Sequence, residues 1–225
     1  PVIAFGVIGP PDACLVTGYD EGGDVLIGWN YYQDSSRFSA GVGREPTGEF
    51  RKRDWFANTP MLMLLGERQP DRPLGEINRE TLCWWVEVMR TPITQGDRRN
   101  GLAAYSAWAD ALLDDSAFPA GDEATLRAHH GAHDMIVGNL AAFRWAGARF
   151  LTELEVPYSL IEELWRAAAC FLAEHALMWQ VWDLLGGLGN PQAWERLADP
   201  GVRRAAAAVI MQSREQCSEA ADRIE

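Results

Sequence analysis

Basic residues are scarce in this chain of 225 residues, with 20 Lys and Arg against 32 Asp and Glu and a formal net charge of −12. A protein that holds DNA or RNA without regard to sequence must neutralise phosphates, and one that adsorbs to anionic membranes needs a similar excess, so both classes are excluded as expectations. The one short basic run, Arg51-Lys52-Arg53, reads as a solvated strand or loop. Cysteine is also scarce. Cys14, Cys83, Cys170 and Cys217 are far apart and form no Cys-x-x-Cys pair, which argues against a disulfide framework and for free thiols in a reducing, cytoplasmic setting. No apolar run is long enough to span a bilayer, and no signal-peptide pattern opens the chain. The chain does not begin with methionine, and its first residues already read as a strand, so it is expected to be the C-terminal part of a longer polypeptide.

What is abundant is apolar. Hydrophobic residues make up 48%, enough for one large domain or two small ones, and ten tryptophans promise large buried surfaces or an aromatic-lined pocket. The fold class expected is α+β, with an antiparallel sheet followed by helices. Strands are expected over Val2–Ile8, Ala13–Tyr19 and Val25–Asn30, because Gly22 and Gly23 can take positive φ between two apolar runs and so close a hairpin. Alternation places Cys14, Val16 and Gly18 on one face and Leu15, Thr17 and Tyr19 on the other. Neither face is plainly polar, so both are expected to be covered. Gly18 and Gly28 mark either a bulge with tight packing or a close approach by a neighbouring backbone or ligand.

Residues 31–43 read as a loop rich in Ser and Gly. Two more strands are expected over Gly48–Phe56 and Met61–Leu65, and the prolines of Gln69–Gly75 then form a linker. The expected division is 1–68 for the sheet part and 69–225 for a helical domain. In the latter, Asn78 and Asn100 are candidate caps of two amphipathic helices, the first carrying Leu82, Trp85, Val86 and Met89, the second Leu102, Tyr105, Ala109 and Leu112.

A long helix pair over about Asp122–Leu154 and Leu160–Leu185 holds all four histidines. Its apolar rows run through His130, His133 and Arg144 in the first helix and His175 in the second. Imidazoles at this spacing invite a zinc or iron site. If the turn centres near Val156–Pro157, His175 lies opposite Gly138, about five residues or roughly 7 Å from His133, too far for one tetrahedral ion. The expectation is therefore no metal and no cofactor, with buried hydrogen-bonded histidines such as His130 against Asp183. Glu174 falls off the row and is expected in solvent. Gly186–Gly189 reads as a helix stop rather than a phosphate loop, followed by a short helix from Pro191 and a last one from about Pro200. Residues 214–225 are expected to fray, with Cys217 held protonated by Glu215, Glu219 and Asp222.

The segments Pro1-Val-Ile-Ala-Phe5, Leu15-Val-Thr-Gly-Tyr-Asp20 and Asp24-Val-Leu-Ile27 resemble the sheet half of papain-like folds of the bacteriocin-processing (C39-like) peptidase type. More closely, they are similar to the N-terminal domain of the butirosin-biosynthesis protein H family, whose members are acyltransferases or uncharacterised proteins. The resemblance implies a cysteine nucleophile on a helix before the sheet, a histidine opening the second strand, and an orienting Asp or Asn at the end of the third. Here no helix precedes Pro1, and Asp12 and Ala13 occupy the place of the histidine. Asn30 stands near the orienting position, with Trp29 competing for that register. Asp12 is a candidate base if burial raises its pKa, or simply the residue that begins a strand. Trp29, Tyr31 and Tyr32 are candidate ligand contacts. Two functions follow from the resemblance. One is a catalytically silent relative that binds a small molecule or peptide between sheet and helices, which the missing histidine favours. The other is a cysteine-dependent acyltransferase or amide hydrolase whose nucleophile lies upstream.

Overall fold

The computed structural model describes residues 2–94, 96–155, 157–187 and 190–225. They form two compact units, Pro1–Asp71 and Arg72–Glu225. The class is α+β, as the alternation and the later helical periodicity imply.

The first unit is a six-stranded antiparallel sheet built from β1 (Val2–Phe5), β2 (Ala13–Asp20), β3 (Val25–Trp29), β4 (Val42–Arg44), β5 (Phe50–Arg53) and β6 (Met61–Leu64), in the order β4-β5-β3-β2-β1-β6. The β2–β3 hairpin turns where the glycines predict it, with φ of 69° at Gly22 and 108° at Gly23. Pairing slips between Val16 and Gly18, so Thr17 is a bulge. Gly28 has a different role, because a Cβ there would sit 2.2 Å from the carbonyl oxygen of Leu15. The glycine is thus required by the close approach of β2.

Three expectations for this unit are corrected. β1 ends at Phe5, because Gly6 turns the chain with φ of 81°. Residues 42–44, placed in a loop from composition, add the edge strand β4. Within this unit only one face of the sheet is covered, and Tyr19, Leu15, Trp29 and β6 find no cover from the unit's own residues. The covered side holds Ala4, Cys14, Leu26 and Phe50 in one small core.

The second unit contains α1 (Leu74–Arg90), α2 (Gly101–Leu113), α3 (Glu123–Glu153), α4 (Tyr158–Leu184) and α5 (Pro200–Ile224). Helix α1 starts four residues before Asn78, behind Pro73, whose fixed φ suits a helix start. Asn100 does sit at the cap position of α2, but its Nδ2 donates to Val88 O and Thr91 O, tying down the end of α1 instead. Asp122 caps α3 through the Thr125 amide. Gly186 and Gly187 stop α4 with positive φ, and the Gly187 amide donates to Trp182 O at 2.8 Å, while 188 and 189 lie outside the described residues.

Helices α3 and α4 pack antiparallel, but their register is displaced from the expected one. Gly147 faces the Phe171 ring and Gly138 faces Trp182, so His175 meets the Ala141 carbonyl rather than Gly138. The supposed turn centre at residue 156 lies outside the described residues. Helix α5 packs on α4 and α2 through Ala206, Ala207, Ile210 and Cys217. It runs to Ile224 with Ala220 and Ala221 buried, so the tail expected to fray is core. Arg203 on α5 is 2% exposed and donates to Leu112 O and Leu197 O, with its remaining nitrogen on Asp115. Its charge satisfies carbonyls left over at helix ends. Core packing does not account for all the tryptophans, since Trp29, Trp84, Trp145, Trp165 and Trp179 are exposed.

Gly28→Ala is expected to destabilise the sheet unit by about 2 kcal/mol or more, because the new methyl overlaps backbone that cannot yield. Urea unfolding checks it, and a change within about 0.5 kcal/mol would show that β2 has room to move.

Candidate functional site

The residues singled out in the sheet unit lie at one end of it. Asp12 is exposed just before β2, where its carbonyl accepts from the Gly6 amide at 3.1 Å and its amide donates to Pro10 O at 2.6 Å. The burial on which a base role depends is absent. The neighbouring Asp12 carboxylate raises the Tyr32 phenol above its usual range. Asn30 is buried, and its Oδ1 accepts from the Tyr32 amide at 2.7 Å while its own amide donates to Gln33 Oε1 at 3.0 Å. These bonds shape the turn after β3. Asn30 Nδ2 is buried with no partner among the described residues.

Tyr32 thus lies beside Asp12 through its phenol and beside Asn30 through its amide, with Tyr31 against its ring, whereas Trp29 packs elsewhere. Trp29 lies over Gly48, and Tyr31 is 88% exposed with its ring edge-on to Tyr32 at 5.1 Å. The cavity at this end is walled by Gly6, Gly9, Pro11 and residues 57–60, without Trp29, Tyr31 or Tyr32. Burial pushes the Cys14 thiol above its ordinary value, so it lacks the stabilised thiolate of a nucleophile.

A more developed polar arrangement lies in the helical unit, and all five helices contribute to it. Arg144 of α3 donates from Nε to Glu174 Oε2 of α4 at 2.5 Å. The Tyr105 hydroxyl of α2 donates to Glu174 Oε1 and accepts from Arg144 Nη2 at 3.0 Å. The same Nη2 lies 3.5 Å from Cys217 Sγ of α5 and 4.0 Å from Met89 Sδ of α1. The guanidinium also lies 5.3 Å from the Phe171 ring centroid and 5.8 Å from that of Trp85.

Glu174 is wholly buried, which overturns its expected place in solvent. Helix α4 is sandwiched between α3 and α5, so it needs a second inward row, and Glu174 sits on it with Ala167, Cys170 and Val181. Burial pushes the Glu174 carboxyl up, against the pull of Arg144 and Tyr105. Burial acts on Arg144 in the opposite sense, but Tyr105 and Glu174 outweigh it and hold the guanidinium charged. The Cys217 thiol is pushed up to about 11, chiefly by burial rather than by the acidic neighbours the sequence suggested.

Beside this network lies a cavity of about 300 Å³. Ala104, Trp108, Ile136 and Leu140 form its apolar wall, and Tyr105 and Arg144 bring the polar groups to it. Arg144 Nη1 has no hydrogen-bond partner among the described residues. The Arg144 side chain as a whole is 8% accessible.

The histidines do not converge. His133 is 5% exposed, and its Nδ1 accepts from Trp108 Nε1 at 2.9 Å. An indole N–H is only a donor, so the imidazole must be neutral with its proton on Nε2. Burial lowers its pKa to about 3. His175 contacts the Ala141 carbonyl at 2.8 Å and accepts from Trp179 at 3.1 Å. The expected bond of His130 to Asp183 is replaced by proximity to Asp134, which accepts from Trp182. Among the described residues no group of three or more His, Cys, Asp or Glu could hold a metal ion, and no helix is long and apolar enough to cross a membrane.

By fold this is an α+β protein, a six-stranded antiparallel sheet followed by a helical unit. No protein-family model, curated protein or solved structure matches the chain.

Two outcomes are expected. Glu174→Leu or Arg144→Met alone leaves one buried charge unpaired and costs about 3–5 kcal/mol, whereas the double variant costs less than either single. Chemical unfolding of the three variants checks this, and additive losses would contradict it. His133 takes up a proton near 6.5 when unfolded but only near about 3 when folded. Between those values the unfolded chain holds more protons, so the stability His133 contributes is complete above 6.5 and falls with pH, by about 2 kcal/mol between pH 6.5 and pH 5. His133→Gln is expected to remove that portion of the slope, and an unchanged slope would show that the imidazole is not confined to its neutral form.

Proposed function

We propose that this protein binds a small, mainly apolar molecule in the cavity of its helical unit. The observation that carries the reading is a buried, fully charged arginine at the wall of an apolar cavity with one nitrogen uncommitted. Arg203, by contrast, engages all three of its guanidinium nitrogens, on Leu112 O, Leu197 O and Asp115. Small-molecule sites combine apolar walls with a few fixed polar groups in this manner. The aromatic walls and the rigid support of Arg144 by Glu174 and Tyr105 add preorganisation, which lowers the cost of binding.

The reading rests on the helical unit alone. Its relation to the papain-like resemblance of the sheet is a proposal of a second kind, in which the sheet is a catalytically silent relative of those enzymes. The acyltransferase or hydrolase alternative, whose nucleophile lies upstream, draws no support from the thiols of this chain, of which Cys14, Cys170 and Cys217 are buried with thiols pushed up by burial and Cys83 is exposed.

Aromatic fragments of about ten heavy atoms are expected to bind the intact chain with Kd of roughly 0.1–1 mM, as read by ligand-observed NMR. Ala104→Phe, which fills the cavity, should weaken them at least about tenfold, and Ala104→Leu by less. Binding that neither variant changes would place the ligand elsewhere and end this reading.

A further inference from the structure

The chemistry of the ligand follows from how Arg144 is already used, given the binding reading above on which this step rests. Its Nε is committed to Glu174, and its Nη2 is shared among the Tyr105 hydroxyl, Cys217 Sγ and Met89 Sδ. Arg144 lines the cavity, and Nη1 is the one nitrogen of its guanidinium without a hydrogen-bond partner among the described residues. The positive charge is likewise spent, because Glu174 lies at 2.5 Å and is wholly buried. A second anion entering here would leave one negative charge in excess, out of water and without a counter-ion. A neutral acceptor meets the same N–H with no charge to desolvate, and a donor would face an N–H that cannot accept.

The apolar wall restricts the rest of the ligand. Trp108, Ile136 and Leu140 offer no hydrogen-bonding group to the cavity beyond the indole N–H, and that N–H is already given to His133. A volume of about 300 Å³ fits one ring with a short substituent rather than a peptide. We infer that the cavity selects a neutral, mainly apolar molecule carrying a single hydrogen-bond acceptor, such as an aryl ketone or amide, whose oxygen takes the Nη1–H of Arg144.

Three probes of nearly equal size separate the possibilities on the intact chain at neutral pH. They are acetophenone, its hydrocarbon isostere α-methylstyrene, and benzoate. The ketone is expected to bind about tenfold tighter than the hydrocarbon, the difference of one well-made hydrogen bond, and benzoate is expected to bind most weakly. In the double variant Arg144→Met, Glu174→Leu, which leaves no unpaired charge, the advantage of the ketone should vanish while the hydrocarbon still binds. Equal binding of ketone and hydrocarbon, or tightest binding of benzoate, would overturn the inference and leave the binding reading standing. Absence of binding by all three probes, or binding indifferent to Ala104→Phe, would overturn the binding reading itself and this inference with it. If the double variant does not fold, the ranking of the three probes on the unaltered chain decides alone.

Discussion

An ion pair sealed inside a helical bundle sets the terms for everything around it. Moving a guanidinium and a carboxylate out of water costs several kcal/mol for each ion, and their attraction offsets this only when geometry and further hydrogen bonds are favourable. Arg144 and Glu174 meet that condition because Tyr105 serves both of them, and because two sulfur atoms and two aromatic faces surround what is left. All five helices take part, α1 with Met89 and Trp85, α4 with Glu174 and Phe171, and the others with one residue each. Sliding any of α2, α3 or α4 by one turn, about 5.4 Å, would separate them and leave a buried charge exposed to nothing. The network therefore penalises alternative registers that apolar packing alone would tolerate, since leucine and alanine rows fit one turn displaced nearly as well as in place.

The contrast between the two buried arginines shows how one residue type can serve structure in one place and chemistry in another. Arg203 is 2% exposed and lies where α2, the turn before α5 and α5 itself meet, and its donors close carbonyls that the helix ends leave open. Nothing about it faces a cavity ligand with a free donor. Arg144 is also buried but less completely, and its carboxylate partner takes only Nε, while Nη1 has no hydrogen-bond partner among the described residues. His133 is an intermediate case, with one ring nitrogen fixed by Trp108 and the other buried without a partner among the described residues. A buried donor of that kind costs about 1–3 kcal/mol unless it finds an acceptor.

Local rules made much of the fold legible. Paired glycines between apolar runs located the β2–β3 turn, and period-3.6 rows located the long helices, because both signals depend on residues within a few positions of one another. The same rules failed where the cause was distant. Whether Leu15, Tyr19 and Trp29 are covered depends on what packs against the sheet, and alternation reports only which face each occupies. The 42–44 strand is too short for any periodicity, and it forms because β5 offers an open edge to Val42 and Arg44. Asp12 and Asn30 both adjoin Tyr32, but the bonds they make are those of turns.

The network escaped notice for a reason that lies in the geometry of α4. A row of apolar residues at helical spacing is easy to see when a helix packs on one side, but α4 packs on two, and its second row passes through Ala167, Cys170, Glu174 and Val181. Read singly, a glutamate beside a histidine looks like a solvated position. Read as part of that row, it is a charge between small and apolar neighbours, which is tolerable only with a cation opposite, and Arg144 stands in the inward row of α3. Small residues make such a meeting possible. Gly138 and Gly147 on α3, and Ala206, Ala207, Ala220 and Ala221 on α5, let the helices approach closely enough for long polar side chains to span the remaining gap. The buried pair thus shares the interior with the rings of Phe171 and Trp182, for which Gly147 and Gly138 make room.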